Sequence, residues 1–167
     1  MRKIAIEDVD VEVHPHGIHS VRRPVSEALD TDHFAMNYFE LEPGEAFSGG
    51  LHTHHDQEEV FYIRSGEATF EVADAPDSEA TESVTVGAGE VIRFPAGEFQ
   101  TGYNDEESEE PVVGFALGAP ASKHDWEEIE AAIPCRECGE ETGHGVSLSE
   151  EGQFEYTCMA CGHRFAI

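Results

Sequence analysis

The stretch Leu51-His52-Thr53-His54-His55-Asp56-Gln57-Glu58-Glu59-Val60-Phe61-Tyr62-Ile63-Arg64-Ser65-Gly66 decides how the rest of the chain is read. Side chains on a strand alternate between faces, so His52 and His54 project together and His55 points the other way. The step from His54 to Glu59 breaks that parity. A turn through His55-Asp56-Gln57 is therefore expected, after which Glu59, Phe61 and Ile63 face inward and Glu58, Val60 and Tyr62 outward. Two imidazoles and a carboxylate on one face are ligands for a divalent transition metal: iron, manganese, nickel or zinc.

Working outward, strands dominate. Phe34 to Leu41 is aromatic and apolar and closes at Pro43-Gly44; with Glu40 outside, Asn37, Phe39 and Leu41 face in. Asn37, Phe39 and Phe61 are the expected lining of a substrate pocket, with Phe61, Phe70, Phe94 and Phe99 as a dry wall. Phe70 and Val72 continue a hairpin from Gly66, and Val84-Thr85-Val86 and Val91-Ile92-Arg93-Phe94 follow, punctuated by Gly87 and Gly89. The polar runs Asp74 to Ser83 and Asn104 to Pro111 are loops, and Val112 to Leu117 is the closing strand. Near the N-terminus Val9, Val11 and Val13 alternate with acidic residues, the pattern of a half-buried strand. His14-Pro15-His16-Gly17-Ile18-His19 is rich in imidazole, but Pro15 and Gly17 make it a solvated turn. Many short strands with glycine-rich turns imply an antiparallel sandwich or barrel.

His52, His54, Glu59 and Gly66 fall at the spacing of the first signature of the cupin superfamily, which this segment resembles. The signature's leading glycine is absent: Ala46 holds its place and Gly44 lies two residues early. Gly89, Pro95, Gly97 and Asn104 match the second signature, 22 residues further on, but Gln100 stands where that pattern has a histidine. The resemblance covers residues 33 to 118. It implies an all-β fold, a double-stranded β-helix or jelly-roll barrel, with a metal held by His52, His54, Glu59 and a doubtful fourth ligand at Gln100. An amide oxygen is a neutral, harder donor than imidazole, so a weakened site for borderline metals is expected. The resemblance also implies a homodimer.

Beyond Pro120 the period changes. Ser122 and Asp125 are spaced like a capping box, and Trp126, Ile129 and Ile133 share a helical face that Pro134 ends. The expected organisation is an N-terminal arm or strand at 1–32, the barrel at 33–120, a helical connector at 121–133 and a small ribbon at 134–167. That ribbon carries all four cysteines as Cys135-x-x-Cys138, 19 residues, and Cys158-x-x-Cys161, each pair followed by glycine. Four thiolates so spaced form a closed tetrahedral shell for structural zinc, and the pattern resembles a zinc ribbon with a hairpin over Val146 to Tyr156. A reducing compartment favours zinc over disulfides, and neither pair has the βαβ context of a redox site. His144 and His163 are substitute ligands that four cysteines make unnecessary.

The formal charge of −27, from 36 acidic and 9 basic residues with only Lys3 and Lys123 as lysines, opposes nucleic acid and anionic membrane. Such acidity looks halophilic, with carboxylate repulsion screened by high internal salt. In the ribbon, Arg136 and Arg164 face six glutamates, a net of −4, so protein contact or stability suits it better than phosphate. No basic-then-apolar leader and no long apolar run occur, so a cytoplasmic protein is expected. The leading functional expectation is a metal-dependent cupin acting on a small molecule by oxygenase-type chemistry, with isomerase-like chemistry in the same family. The alternative is a non-catalytic small-ligand-binding or sensing cupin whose ribbon contacts a protein partner.

Overall fold

The computed structural model describes residues 1–14, 16–77, 82–122, 128–149 and 153–166. After a single 3₁₀ turn at Ile6–Asp8 come β1 (Val21–Pro24), helix α1 (Val25–Leu29) and β2 (Ala35–Leu41). The metal-type stretch supplies β3 (His52–His54) and β4 (Glu58–Ser65), followed by β5 (Glu67–Ala73), β6 (Glu82–Gly87), β7 (Val91–Phe94), β8 (Phe99–Tyr103) and β9 (Val112–Ala119). The tail adds β10 (Ile129–Pro134), β11 (Glu141–Leu148), β12 (Phe154–Cys158) and β13 (Arg164–Ala166). One sheet runs β1-β2-β9-β4-β7, and the other β13-β12-β11-β10-β3-β8-β5-β6. All named strand pairs are antiparallel, and β2 to β9 form the two facing walls of a double-stranded β-helix.

The parity expected of β4 holds: Phe61 and Ile63 are buried, Tyr62 is exposed, and the irregular step at residues 55–57 precedes the strand. Between the walls lies an aromatic core. Phe70 is fully buried, with ring centroids 4.9 Å from Phe61, 5.5 Å from Phe94 and 5.8 Å from Phe47. Each such ring stabilises the fold by roughly 1.5–3 kcal/mol through its burial. Gly102 makes room for it, since a Cβ there would sit 2.3 Å from the Phe70 ring. Gly66 serves the β4–β5 turn with φ +78°, and a Cβ there would meet the Pro111 carbonyl at 2.6 Å.

Two expectations are corrected. Residues 9–13 form no strand: Val9 is buried, but Val11 and Val13 are exposed, and the arm's ladder-like bond is Glu12 N to Arg22 O at 2.8 Å. One backbone bond to β1 does not extend into a ladder, and the strand of this region is β1 itself. The helical connector at 121–133 fails over its last residues, because Ile129–Pro134 is strand β10. Residues 123–127, including Trp126, lie outside the described residues. Ile129, Ala131 and Ile133 also satisfy a period of two, and the unpaired edge of β3 offers a ladder that outweighs the local helical spacing. The described helix is α1, far earlier in the chain. The tail is thus continuous with the barrel: β10 pairs with β3 on one side and β11 on the other.

Candidate metal centres

The barrel centre is assembled by three strands. On β3, His52 and His54 share a face; on β4, Glu59 lies opposite Gly118 and Phe94; on β8, Gln100 lies opposite His52. One ligand atom from each of His52, His54 and Glu59 lies within 4.8 Å of the others. His54 Nε2 is 3.6 Å from Glu59 Oε2, close to the separation of about 3–3.5 Å between neighbouring ligands on a divalent ion with bonds of ~2.1 Å. His52 Nδ1 lies 2.9 Å from the Gly50 carbonyl, which fixes the proton on Nδ1 and leaves the Nε2 lone pair for the centre.

Gln100 completes the ring of polar groups. Its Nε2 donates to Glu59 Oε2 at 2.7 Å and lies 3.5 Å from His52 Nε2, while its Oε1 is buried without a partner. A half-turn of the amide would present that orphaned oxygen to a cation. Burial pushes Glu59 up to about 7, partly offset by the Gln100 donor, and burial lowers His52. A neutral imidazole beside a carboxylate that resists ionisation alone is an environment a divalent cation would relieve. The residues present therefore fit a metal.

The centre lies in a tight crevice, too narrow in this state to hold a water molecule, lined by Thr53, His54, Gln57, Glu59, Phe94, Pro95, Glu98 and Gln100. The expected pocket residues sit elsewhere. Phe39 and Phe61 are packed into the aromatic core rather than along this crevice. Asn37 lies opposite Ala116, itself opposite Phe61, on the barrel-facing side and one row from Glu59. Gln57 and Glu98 line the crevice without having been singled out from sequence. Gln57 is buried, and its Nε2 donates to the Ala121 carbonyl at 2.8 Å. Its place between His54 and Glu59 was a usable signal, whereas Glu98 is one carboxylate among 36 acidic residues. A larger open groove is lined by Ile18, Gly49, Tyr103, Asn104 and Glu106 among others, and by none of the four barrel-centre residues.

The second centre is made of thiols. Cys135, Cys138, Cys158 and Cys161 are reduced, and their sulfurs lie within 4.8 Å of one another. Cys135 and Cys161 sulfurs are 3.6 Å apart and those of Cys138 and Cys158 4.0 Å, bracketing the ~3.8 Å edge of a tetrahedron with ~2.3 Å metal–sulfur bonds. The two loops match: Gly139 N donates to Cys135 O and Gly162 N to Cys158 O, with the glycines at φ +74° and +75°. Backbone amides of Cys138 and Glu137 directed at Cys135 hold its thiol down at about 5. The hairpin expected over Val146 to Tyr156 is formed by β11 and β12, with Val146 opposite Tyr156. His144 is fully buried and His163 belongs to no ligand cluster among the described residues.

The family model described as a cupin domain matches residues 37–117. No curated protein matches the chain significantly in sequence. Among solved structures, a candidate sugar phosphate isomerase of Acidithiobacillus ferrooxidans is 18% identical with a TM-score of 0.55, over 96% of this chain and 84% of that one. The polyketide cyclase RemF of Streptomyces resistomycificus is 22% identical with a TM-score of 0.58, over 81% and 88% respectively. The oxalate decarboxylase of Lactobacillus farciminis, solved with formate, is 17% identical with a TM-score of 0.56, over 71% of this chain and 33% of that one. At such identities the likeness establishes the fold. Among the described residues, no helix is long and apolar enough to cross a membrane.

Proposed function

We propose that this chain, a member of the cupin superfamily through residues 37–117, holds a divalent transition metal at His52, His54 and Glu59 and acts on a small molecule by oxygenase-type chemistry. The convergence of two imidazoles and one carboxylate within 4.8 Å carries the reading. A metal so held would keep open positions for a bidentate hydroxy or keto substrate and for O₂. His52 is pre-set by Gly50 to offer Nε2, Gln100 steadies Glu59, and the phenylalanine core behind them excludes water. The structural relatives named above as a cyclase, a decarboxylase and a candidate isomerase act on small molecules by different reactions, so the fold leaves the reaction to the site. The four-cysteine centre holds structural zinc in this reading, and the protein is a cytoplasmic homodimer of an acidic, salt-adapted type without nucleic-acid or membrane partners. Light scattering at molar salt checks the dimer against a chain of 18.3 kDa.

The test is O₂ uptake by metal-loaded protein across hydroxylated aromatics and keto acids. Substrate-dependent uptake that disappears in His54→Ala supports the reading, and uptake with none of them while metal is bound contradicts it. One observation favours a second reading, a ligand-binding or sensing cupin: Gln100 sits at the fourth position and is engaged with Glu59. Ligand-induced stabilisation without turnover would select it.

A further inference from the structure

Strand β3 carries two of the three barrel ligands, yet its hold on the barrel is lopsided. It meets β8 at one residue pair, His52 with Gln100, and takes one further barrel-side bond, Gly97 N to His54 O at 2.9 Å. It meets β10 at three: His52 with Ala131, Thr53 with Glu130, and His54 with Ile129. Two flanking bonds extend that seam, His55 N to Glu128 O at 2.8 Å and Ala132 N to Leu51 O at 2.9 Å. A side-chain tie completes it, with Glu130 Oε2 3.0 Å from His55 Nε2. Glu130 fits because residue 143 is glycine, where a Cβ would lie 1.6 Å from Glu130 Oε1. A three-residue strand with one residue pair and one loop bond on its barrel side is held in register more by its seam with β10 than by the barrel.

What holds β10 is the tail. It has five pairs with β11, its last residue is followed by Cys135, and β11 pairs with β12, which ends at Cys158. The register draws one line across the sheet: Cys158 opposite His144, His144 opposite Ala131, Ala131 opposite His52, and His52 opposite Gln100. Directly opposed residues share a face, and each strand step is about 4.8 Å, so the two centres are some three steps, or ~14 Å, apart.

We propose that the four-cysteine centre is a register clamp for the barrel centre: its bound metal fixes β10 against β3, and losing it lowers the barrel's affinity for metal. Glu130 is the positioning residue of that seam. This goes beyond a purely structural zinc and rests on the reading that both centres bind metal. The coupling is local, because β4 to β9 keep the aromatic core when the seam opens.

The full chain is titrated with cobalt(II), whose thiolate charge-transfer bands report the tail and whose d–d bands report the barrel, alongside amide exchange at His55 and Ala132. Cys158→Ser should lose the thiolate bands, weaken barrel cobalt binding by about tenfold or more, and speed exchange at both amides while the core amides stay protected. Glu130→Ala should keep the thiolate bands and still weaken the barrel site, and Glu130→Gln, which preserves a hydrogen bond to His55, should restore it. A Cys158→Ser protein without tail metal that binds barrel cobalt as the parent does and keeps His55 and Ala132 protected overturns the clamp. If Cys158→Ser does not fold, unchanged barrel binding in Glu130→Ala overturns it equally. If the parent barrel takes up no cobalt, the metal reading fails by itself, and the exchange rates alone then decide the clamp.

Discussion

The two centres stand on one sheet and are built on opposite principles. The cysteine centre is symmetric and closed: two matched loops, two glycines near φ +75°, and four sulfurs within 4.8 Å of one another. The barrel centre is asymmetric and incomplete, with two histidines on a short strand, a glutamate from the facing sheet and a glutamine in a ligand's place. A closed site is specified by its own loops, because each loop positions two ligands locally. An open site is specified by the fold, because its ligands arrive from separate strands and each depends on the packing behind it. The first should therefore survive damage to the barrel, and the second should be sensitive to everything around it.

The largest expected effect tests that asymmetry. Phe70→Ala removes the ring at the centre of the core and should cost about 3–5 kcal/mol in denaturant unfolding, while the tail keeps its metal. Loss of the tail metal in a folded Phe70→Ala protein would show that the cysteine centre depends on the barrel after all. Salt comes next. With a formal charge of −27, melting temperature should climb from dilute buffer to molar potassium chloride as repulsion is screened. A flat series would remove the halophilic reading.

Gln100→His sharpens the comparison from the other side. Replacing an amide by a borderline nitrogen donor should raise barrel affinity for a transition metal about tenfold, ~1.4 kcal/mol, and leave the tail untouched. The smallest effect is in pH. Glu59 ionises at about 7 in the metal-free fold, above its ordinary value, so the fold favours the protonated acid and metal must displace that proton. Barrel affinity should be level above about pH 7 and fall by roughly tenfold per unit below it, read by calorimetric titration. In the metal-free protein the same shift lowers stability as pH rises from the ordinary carboxylate range through 7, a penalty that bound metal offsets.

Much of this was legible in the chain because it is periodic or punctuated. The parity of β4, the turn at residues 55–57, the glycine at 66 and the paired cysteine loops each follow from spacing alone. The pocket lining was not, because facing inward does not distinguish a core ring from a cavity wall. Phe39 and Phe61 point inward as expected and are consumed by packing. Residues 129–133 fit two periods at once, and only the open edge of β3, a tertiary fact, chose the strand. That same edge joins the tail to the barrel, which two separately read segments could not reveal. Val9 to Val13 carried a strand's alternation, yet the arm meets β1 through the single backbone bond Glu12 N to Arg22 O and builds no ladder.

The account turns on metal at His52, His54 and Glu59, and metal content of protein purified without added metal tests it most directly. Parent protein should carry two metal ions per chain, the tail zinc and a barrel ion of iron, manganese, nickel or zinc, and His54→Ala should carry the tail zinc alone. A His54→Ala protein that retains both ions, or a parent that holds a single ion per chain after exposure to iron, manganese, nickel and zinc, would contradict the assignment.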